Sequence, residues 1–257
     1  MKPLAQLDVQ AIDSLLFDID ETLTTNGKLT ASAYSALERL HAAGKRAVAV
    51  TGRPAGWCDH VARMWPVDAV VGENGAFYFC FAEGRLHKRF ADDEKTRAAK
   101  RARLDAIARA IREQVPGCAV ASDQPYRETD LAIDYCEDVP PLPLEAAERI
   151  AALMRGAGLT ARVSSIHVNG WFGDYDKLTM TRRLFQERFA VDLEQANRNV
   201  AYVGDSPNDA PMFAFFVNSV GVANVERFAD RRGEAPKFVT QASSGAGFAE
   251  LVAHLLR

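Results

Sequence analysis

Short apolar segments that alternate with stretches of helical spacing are the feature that most constrains how this chain can fold. Between residues 15 and 71, strand-length apolar runs such as "SLLFD" and "RAVAV" alternate with longer segments of helical periodicity. Residues 30–43, for example, carry Leu37 and Leu40 on one predicted helical face, and Gly44 follows where a helix would end. The same alternation returns from Lys177 to the C-terminus. This order is typical of βαβ units, so the sequence predicts an α/β fold with a parallel sheet.

The middle of the chain follows a different order. Residues from about 84 to 170 predict a helix, two short strands, a second helix and two more strands. Such an order favours an antiparallel sheet with helices on one face. We therefore predict a small α+β domain over residues 85–170, inserted into a larger domain formed by residues 1–84 and 171–257. The sequences "AEG" and "NGWFGD" are the predicted linkers.

The composition excludes several classes of protein. The chain has 257 residues, of which 48% are hydrophobic and 25% are charged, as in ordinary globular proteins. A net charge of -3 argues against general nucleic-acid binding, which needs an excess of basic residues. No apolar run approaches the roughly 20 residues that a membrane span requires. Acidic residues stand where a signal peptide needs an apolar stretch, and the four cysteines are widely spaced, so we expect a cytoplasmic protein with reduced thiols.

Polar side chains follow several of the predicted strands directly. The carboxyl ends of parallel strands meet at one edge of a sheet, where ligands bind in open α/β folds. We therefore expect these polar clusters to converge. Three predicted strands end in such clusters: Asp18 and Asp20 in "LLFDIDETLT", Thr51 and Arg53 in "TGR", and Asp205, Asn208 and Asp209 in "GDSPND".

Converging carboxylates need positive charge to stay together. Asp18, Asp205 and Asp209 are acids with reference pKa values of about 4, and like charges 4 Å apart repel by roughly 4 kcal/mol at an effective dielectric constant of about 20. A hard divalent ion such as Mg²⁺, which binds carboxylates, waters and phosphate oxygens, suits this set. With a phosphate of about two negative charges, one further cation is needed. Lys177, at the start of a predicted helix, is the candidate.

Each cluster alone also has a commonplace interpretation. Aspartates are frequent in turns, Thr51 could cap the next helix, and "GDSPND" suits a turn followed by a helix N-cap. A single lysine such as Lys177 is usually a solvated side chain. The four features together, each at a predicted strand end or helix start, favour a catalytic site over capping.

Taken in order, these motifs resemble those of the haloacid dehalogenase superfamily of phosphohydrolases. The four motifs are "DIDETLT", "TGR", the helix-opening lysine and "GDSPNDAPMF". The insertion between the second and third motifs, preceded by "ENGA", is similar to the type IIB branch, which includes Cof-like sugar phosphatases and sucrose-phosphate phosphatases. The resemblance covers nearly the whole chain. It implies a Rossmann-like core with an inserted cap of the C2B type.

The resemblance also implies roles for four catalytic residues. Asp18 would attack phosphorus and form an aspartyl-phosphate. Asp20 would protonate the leaving alkoxide and then activate water. Thr51 would hydrogen-bond the phosphoryl oxygens, and Lys177 would neutralise them and hold Asp18.

The metal set follows from the same resemblance. It implies Mg²⁺ on the carboxylates of Asp18 and Asp205 and on the backbone carbonyl of Asp20. Asp209 would hold either the waters of the metal or Lys177. The implied substrate is a small phosphorylated metabolite of the sugar-phosphate class, and no cofactor beyond the metal is implied.

Substrate contacts are less specific in the sequence. Arg53 and Asn74 lie at predicted strand ends and are candidates to face the substrate, while Asn208 would orient the site. Glu21 stands where the superfamily often has glycine, so it is either a surface acid or a residue that narrows the pocket. Residues 85–113 carry ten Lys and Arg against five acids, which predicts a solvated helix face or, in Lys88 and Arg89, contacts to an anionic substrate.

Three functions remain open at this point. The first is a Mg²⁺-dependent phosphatase, and the second is a phosphomutase of the phosphomannomutase type, which returns the phosphoryl group to a bound sugar. The third is a binding protein that has kept the fold without catalysis, which the presence of Asp18, Asp20 and Lys177 disfavours. Dehalogenation is disfavoured too, since a departing halide needs no proton from Asp20.

Overall fold

The computed structural model describes residues 1–164, 166–228 and 234–257, in which two sheets are present. The strands are β1 (Lys2–Pro3), β2 (Ser14–Phe17), β3 (Arg46–Val50), β4 (Ala69–Gly72), β5 (Phe77–Ala82), β6 (Arg85–Phe90), β7 (Ala119–Val120), β8 (Leu131–Asp134), β9 (Thr160–Val163), β10 (His167–Trp171), β11 (Val200–Gly204), β12 (Asn218–Gly221) and β13 (Phe238–Val239). The helices are α1 (Ala31–Ala42), α2 (Ala55–Met64), α3 (Glu94–Gln114), α4 (Leu144–Gly156), α5 (Lys177–Leu184), α6 (Ala210–Phe215) and α7 (Ser244–Leu255).

The larger sheet has nine strands in the order β1-β13-β12-β11-β2-β3-β4-β5-β6. Strands from β1 to β4 in this order pair in parallel, whereas β5 and β6 are antiparallel to their neighbours. Every residue of β2 and β11 is buried, because helices cover both faces of the sheet. The α/β prediction is therefore confirmed, and the continuous apolar runs belong to strands buried on both faces.

Helix α1 shows how the sequence fixes the elements around this sheet. The side chain of Thr30 accepts a hydrogen bond from the backbone N–H of Ala33 and so caps the helix. Ala33, Leu37 and Leu40 form the buried face, as their spacing predicts, and pack in the same apolar cluster as α7. Gly44, at φ +73°, adopts the left-handed conformation that follows the helix end.

The smaller sheet has four strands in the order β7-β8-β10-β9, all antiparallel. Helices α3 and α4 bury Leu104, Ile111, Ile150 and Met154 in one apolar cluster with the inner side chains of this sheet. The predicted order of helix, two strands, helix and two strands is present. This part is the inserted α+β cap.

One segment that we assigned to the cap lies in the larger sheet. Residues Arg85–Phe90 form β6, which pairs with β5 along its whole length. In the sequence "AEG", Ala82 ends β5, and Glu83 at φ +53° and Gly84 at φ +73° form the turn to β6, so this segment connects two strands of the larger sheet. The domain limits remain a prediction, and we propose to place the first boundary after Phe90.

Among the described residues, no helix combines the length and apolarity that crossing a bilayer would need.

Gly75 follows β4 and packs directly against the backbone at the start of α5. Its φ of +105° is unfavourable for other residues, and a Cβ atom there would lie 2.0 Å from the carbonyl oxygen of Asp176. This close approach of two backbones fixes the N-terminus of α5, whose first residue is Lys177. The contact therefore sets the position of a predicted catalytic side chain.

We expect Gly75→Ala to destabilise the protein far more than Gly84→Ala. Gly84 also has a positive φ, but a Cβ atom there meets nothing within 4 Å, so that change should cost only about 1–2 kcal/mol in backbone conformation. Gly75→Ala adds a clash with backbone atoms and should cost at least about twice as much. Denaturant unfolding of both variants measures the difference. Equal costs would show that the close contact is not a constraint.

Candidate active site

Three aspartates from distant parts of the chain meet at the carboxyl edge of the larger sheet. Asp18 follows β2, Asp205 follows β11, and Asp209 ends the short turn before α6. One carboxylate oxygen from each lies within 4.8 Å of the other two, and all three residues are buried. Since β2 and β11 are paired neighbours, the sheet itself brings Asp18 and Asp205 together.

Lys177 supplies the positive charge that this cluster requires. Its Nζ donates to Asp18 Oδ1 at 3.0 Å and to Asp209 Oδ1 at 2.7 Å, and only 2% of the residue is exposed. The N-terminal position on α5 is fixed by Asp176, whose side chain accepts from the N–H of Thr179. The lysine thus bridges two acids from opposite ends of the chain.

Asp209 organises the cluster through its own hydrogen bonds. Its Oδ1 accepts from Lys177 and from the hydroxyl of Tyr202, while its Oδ2 accepts the backbone N–H groups of Asp205 and Ser206. These four donors occupy both oxygens. The contact to Lys177 is one of the two alternatives predicted for Asp209.

Burial changes the protonation of the cluster. It raises the pKa of Asp18 to about 7 against the opposing charge of Lys177, and Asp209 adds to the increase. Burial, followed by the charges of Asp18 and Asp209, also raises the pKa of Asp205 well above its usual value. Burial disfavours the charged form of Lys177, but Asp18 and Asp209 outweigh it and hold the pKa of the lysine above its ordinary range.

The donor set suits a hard divalent cation. Opposite ligands of an octahedral Mg²⁺ ion are about 4.2 Å apart, since each bond is about 2.1 Å long. One carboxylate oxygen from each of the three aspartates lies within 4.8 Å of the other two, which is close to that span. Asp205 accepts long hydrogen bonds from the hydroxyl of Thr22 at 3.4 Å and from the side-chain amide of Asn224 at 3.2 Å. A bound cation would offset the effects that raise the pKa of Asp18 and Asp205, which are burial first and the neighbouring carboxylates second.

Asp20 and Arg53 form a tight ion pair beside the cluster. Arg53 Nη2 donates to Asp20 Oδ1 at 2.7 Å, and its Nε donates to both oxygens at 2.9 and 3.0 Å. The same Nη2 donates to Glu137 of the cap at 3.1 Å, and the guanidinium carbon lies 4.4 Å from the ring centre of Trp57. The predicted acid–base residue is therefore held by a predicted substrate contact that also touches the cap.

The other predicted site residues lie at the same edge of the larger sheet. Thr51 is fully buried, and its hydroxyl accepts the N–H of Arg53 at 3.1 Å. Asn74 has a left-handed φ of +56°, and its amide would lie 3.2 Å from a Cβ atom on Gly52. Asn208 accepts a hydrogen bond from Ser206 at 2.5 Å. The structure thus places every predicted site residue at this edge of the sheet.

Glu21 has its side-chain partners outside the aspartate cluster. Its side chain accepts from the N–H of Gly27 at 3.2 Å and from the hydroxyl of Ser244 at 3.3 Å. Its carbonyl oxygen accepts from Asn224, which also donates to Asp205. Glu21 at φ +53° therefore ties the loop after β2 to the C-terminal helix.

Two buried side chains connect the core and the cap. One extends from the core to the cap, and the other extends from the cap to the core. Glu73 of the core accepts the N–H groups of Ala55, Glu128 and Thr129 at 2.7–2.9 Å, together with the hydroxyl of Thr129. Arg127 of the cap donates to the carbonyl of Gly52 at 3.0 Å. We call this pair of contacts, made by Glu73 and Arg127, the cap clasp.

Arg127 is held rigidly by acids of its own domain. Asp123 receives its Nε and Nη2 at 2.8 and 2.9 Å, and Asp130 receives its Nη1 at 3.1 Å. Asn169 donates to Asp130 at 2.9 Å. This network is buried and its hydrogen bonds are satisfied, so the Arg127 guanidinium has a fixed position. The cap thus holds it in contact with the "TGR" loop of the core.

Several residues of the site escaped the sequence analysis. A space between core and cap is lined on the core side by Asp18, Asp20 and Arg53. Glu137, His167 and Asn169 come from the cap and have no sequence motif that marks them. Only the acidic pattern of "ETD" and "YCED", with its charged residues beside short strands, could have hinted at this network. The cap residues on this side of the site are Arg127, Ser164, Ile166, His167 and Asn169.

The basic stretch after residue 85 makes structural contacts. Lys88 lies 3.2 Å from Asp59, and Arg89 lies 3.4 Å from Glu187. Arg103 stacks on Phe172 at 3.8 Å, and Trp171 stacks on Tyr175 at the cap exit. Lys88 and Arg89 belong to β6 of the larger sheet. Their acidic partners, Asp59 in α2 and Glu187 after α5, belong to the same core.

Comparison with known proteins identifies relatives over most of the chain. Residues 15–101 match the family model described as haloacid dehalogenase-like hydrolase. A phosphoglycolate phosphatase of Haloarcula marismortui is 30% identical over 241 residues, which cover 93% of this chain and 95% of that protein. A phosphoglycolate phosphatase of Pyrobaculum neutrophilum is 32% identical over 243 residues, covering 93% of each chain.

Solved structures share the fold at lower identity. A Thermoplasma acidophilum protein has a TM-score of 0.71 at 17% identity, covering 95% of this chain and 98% of its own. A subclass IIB sugar phosphatase has a TM-score of 0.62 at 15% identity, covering 94% and 98%. A sucrose-phosphatase from Synechocystis, solved with sucrose and phosphate, has a TM-score of 0.60 at 18% identity, covering 94% and 97%.

The cap clasp generates a pH-dependent prediction. Burial and the charge of Asp130 raise the pKa of Glu73 to about 7, against the charge of Arg127 and the hydrogen bonds from Thr129 and Glu128. For an acid whose folded pKa is raised, the stabilising contribution is complete below the unfolded pKa of about 4.5 and is lost as the pH rises through 7.

We expect Glu73→Gln to reduce stability most at low pH, because glutamine does not titrate. From pH 5 to pH 8, the free energy of unfolding of the natural protein should fall by up to about 3 kcal/mol relative to the variant. Urea unfolding across this range measures it. Glu83→Gln, in the exposed hairpin turn, is the control and should parallel the natural protein. A pH-independent difference for Glu73→Gln would contradict the prediction.

Proposed function

The chain belongs to the haloacid dehalogenase-like hydrolases and is a phosphoric monoester hydrolase, and we propose that it hydrolyses a small phosphate monoester with Mg²⁺ through an aspartyl-phosphate. One observation carries this proposal. The ammonium group of Lys177 lies between Asp18 and Asp209, with Asp205 beside them, in a buried cluster. Buried carboxylates that share one lysine at the carboxyl edge of a parallel sheet favour a site for a metal and a phosphoryl group.

In the first proposed step, a carboxylate oxygen of Asp18 attacks phosphorus. The bond between phosphorus and the alcohol oxygen breaks as the new bond forms, and Asp20 gives its proton to the leaving alkoxide. In the second step, Asp20 takes a proton from water, which attacks phosphorus and releases phosphate and the free Asp18 carboxylate. No net proton or electron remains on the enzyme after one turnover.

The fixed charges of the chain favour this transfer. Lys177 holds Asp18 in place and faces the equatorial phosphoryl oxygens, where negative charge accumulates. Thr51 is buried at the end of β3, and in this proposal its hydroxyl donates to one of these oxygens. When bound by Asp18, Asp205 and the carbonyl of Asp20, Mg²⁺ would neutralise charge on the phosphoryl group.

Arg53 must release Asp20 before proton transfer. Its Nε donates to both oxygens of the Asp20 carboxylate, and its Nη2 donates to Oδ1. Glu137 at 3.1 Å and Asp123 at 3.7 Å offer Arg53 alternative partners on the cap. We infer that Arg53 turns toward the substrate or these acids when the substrate binds, which leaves Asp20 free to act.

The relatives guide the choice of substrate. The two curated relatives are named as phosphoglycolate phosphatases, and the structural neighbours include sugar phosphatases. We therefore propose a small phosphorylated metabolite, either a phosphorylated hydroxy acid or a sugar phosphate, and a cytoplasmic site of action. Phosphoglycolate and a hexose phosphate are the first compounds to test.

We expect Asp18→Asn to reduce phosphate release from p-nitrophenyl phosphate by at least about 10³-fold, because the amide oxygen is a poor nucleophile. EDTA should abolish activity, and added Mg²⁺ should restore it. Asp8→Asn, an exposed aspartate near the N-terminus, is the matched control and should keep full activity. Undiminished turnover in Asp18→Asn, or in EDTA, would remove this mechanism.

The same assay distinguishes hydrolysis from phosphoryl return to a sugar. Incubation with a hexose 1-phosphate should give free phosphate if the enzyme is a phosphatase. Formation of the 6-phosphate isomer in place of free phosphate would identify a phosphomutase. A protein that only binds ligands would give neither product.

A further inference from the structure

Three larger spaces adjoin the narrow space between core and cap, which holds about 20 Å³. The first, of about 450 Å³, shares Asp20 and Arg53 with it. The second, of about 590 Å³, shares Arg127, and the third, of about 340 Å³, shares Asn208. All three volumes are in the range of small-molecule sites, about 300–1,000 Å³. Size therefore does not decide which of them receives a part of the substrate.

The arginines of the first two spaces are already engaged by the protein. In the first space, Arg53 donates to one acid of the core and one acid of the cap. In the second space, Arg127 is held by two acids of the cap, and Arg101 donates to the backbone carbonyl of Arg127. Neither space offers an incoming anion a guanidinium that has no partner.

The third space contains two arginines of a different kind. Within residues 1–164, 166–228 and 234–257, the side chains of Arg155 and Arg162 have no hydrogen-bond, ion-pair or aromatic partner, and both residues are exposed. Of the described residues that line this space, Glu148 is the only acid, so two positive charges face one negative charge. We call the space the Arg162 groove, and its lining includes Glu148, Arg155, Arg162, Val163, Pro207 and Asn208.

The register of the cap sheet places Arg162 on the side of the aspartate cluster. Arg162 is opposite Asn169 in the antiparallel pair of β9 and β10. Opposite residues of such a pair have Cα atoms about 4.5–5.5 Å apart and side chains on the same face. Asn169 lines the space between core and cap, whereas Ala161 and Val163, the neighbours of Arg162, pack in the apolar cluster of the cap. Arg162 therefore lies on the face of the cap sheet that is turned toward the core.

Asn208 is the point at which the Arg162 groove meets the aspartate cluster. It belongs to the turn Pro207–Asp209 of the core, which packs against β9 of the cap. Its side chain lines both the groove and the space that contains Asp18. A ligand whose phosphoryl group lies at Asp18 therefore reaches Arg162 by extending past Asn208.

A guanidinium without a partner suits a carboxylate, because its planar N–H groups match the two carboxylate oxygens. The two substrate classes proposed above differ in this respect. A phosphorylated hydroxy acid carries a carboxylate near its phosphate, whereas a sugar phosphate carries hydroxyl groups. Asp18 and Asp20 repel a carboxylate that is brought near them, so its binding needs a cation that the protein has not already used.

We propose that Arg162 binds the carboxylate of a phosphorylated hydroxy acid and is a specificity-determining residue of the site. The proposal rests on the phosphatase function proposed above and narrows its substrate to this class. Arg155, on α4, adds positive charge to the same groove.

Two esters of the same shape test this assignment: phosphoglycolate and phosphoglycolamide, in which an amide replaces the carboxylate. In Arg162→Gln, the ratio of kcat/KM for phosphoglycolate to kcat/KM for phosphoglycolamide should fall about tenfold, mainly through KM for phosphoglycolate, because a hydrogen bond to a charged group is lost. Arg162→Lys keeps the charge and should keep the larger part of the ratio. Arg149→Gln changes an exposed arginine of α4 outside the groove and is the matched control, which should leave the ratio unchanged.

Two outcomes of this comparison would overturn the role of Arg162 and keep the phosphatase function. One is phosphate release from both esters by Arg162→Gln in the same ratio as the natural enzyme gives, whether or not both rates fall. The other is a natural enzyme that hydrolyses the amide as well as the acid. Thermal unfolding of each variant verifies that the protein is folded.

A binding measurement separates this proposal from the phosphatase function. In the Asp18→Asn background, where turnover is blocked, titration calorimetry should show that Arg162→Gln weakens the binding of phosphoglycolate about tenfold relative to the binding of inorganic phosphate, which has no carboxylate. This difference, without phosphate release from any ester by the natural enzyme, would overturn the phosphatase function and keep the carboxylate site. Equal changes for both probes, including no change, would overturn the carboxylate site.

Discussion

The contact of the Lys177 ammonium group with Asp18 and Asp209 is the interaction on which the carboxyl edge of the larger sheet depends. The three residues are almost fully buried, so removal of the lysine would leave two buried carboxylates without the ammonium group that they share. The remaining parts of the core hold this contact in place. Paired strands β2 and β11 fix the acids, and the close approach of Gly75 to Asp176 fixes the start of α5.

The cap is connected to this core by charge as well as by chain connectivity. Glu73 reaches from the core to backbone N–H groups of the cap, and Arg127 reaches from the cap to Gly52. Arg53 lies between them and touches both Asp20 and Glu137. A movement of the cap would therefore change the partners of Arg53, which couples cap position to the proposed acid–base residue.

Much of the fold could be predicted because periodicity is a local property. The Thr30 cap, the buried face of α1 and the order of elements in the insert all follow from neighbouring residues. The hairpin of β5 and β6 was not predicted, since "FYFCFA" and "RLHKRF" do not alternate as one-sided strands do. Glu21 was left open because its partners Gly27 and Ser244 depend on how the chain's two ends meet.

The sequence by itself determined which acids and which lysine meet at one edge of the larger sheet. Asp18, Thr51, Lys177 and the "GDSPND" acids stand at strand ends or helix starts, and parallel strands must bring such ends to one edge. Only the tertiary structure decided which cap side chains face them. Glu137 and Arg127 meet Arg53 and Gly52 from sequence positions 84 and 75 residues away, through packing of two sheets. Contacts of that kind depend on how domains are oriented, which no local pattern of residues encodes.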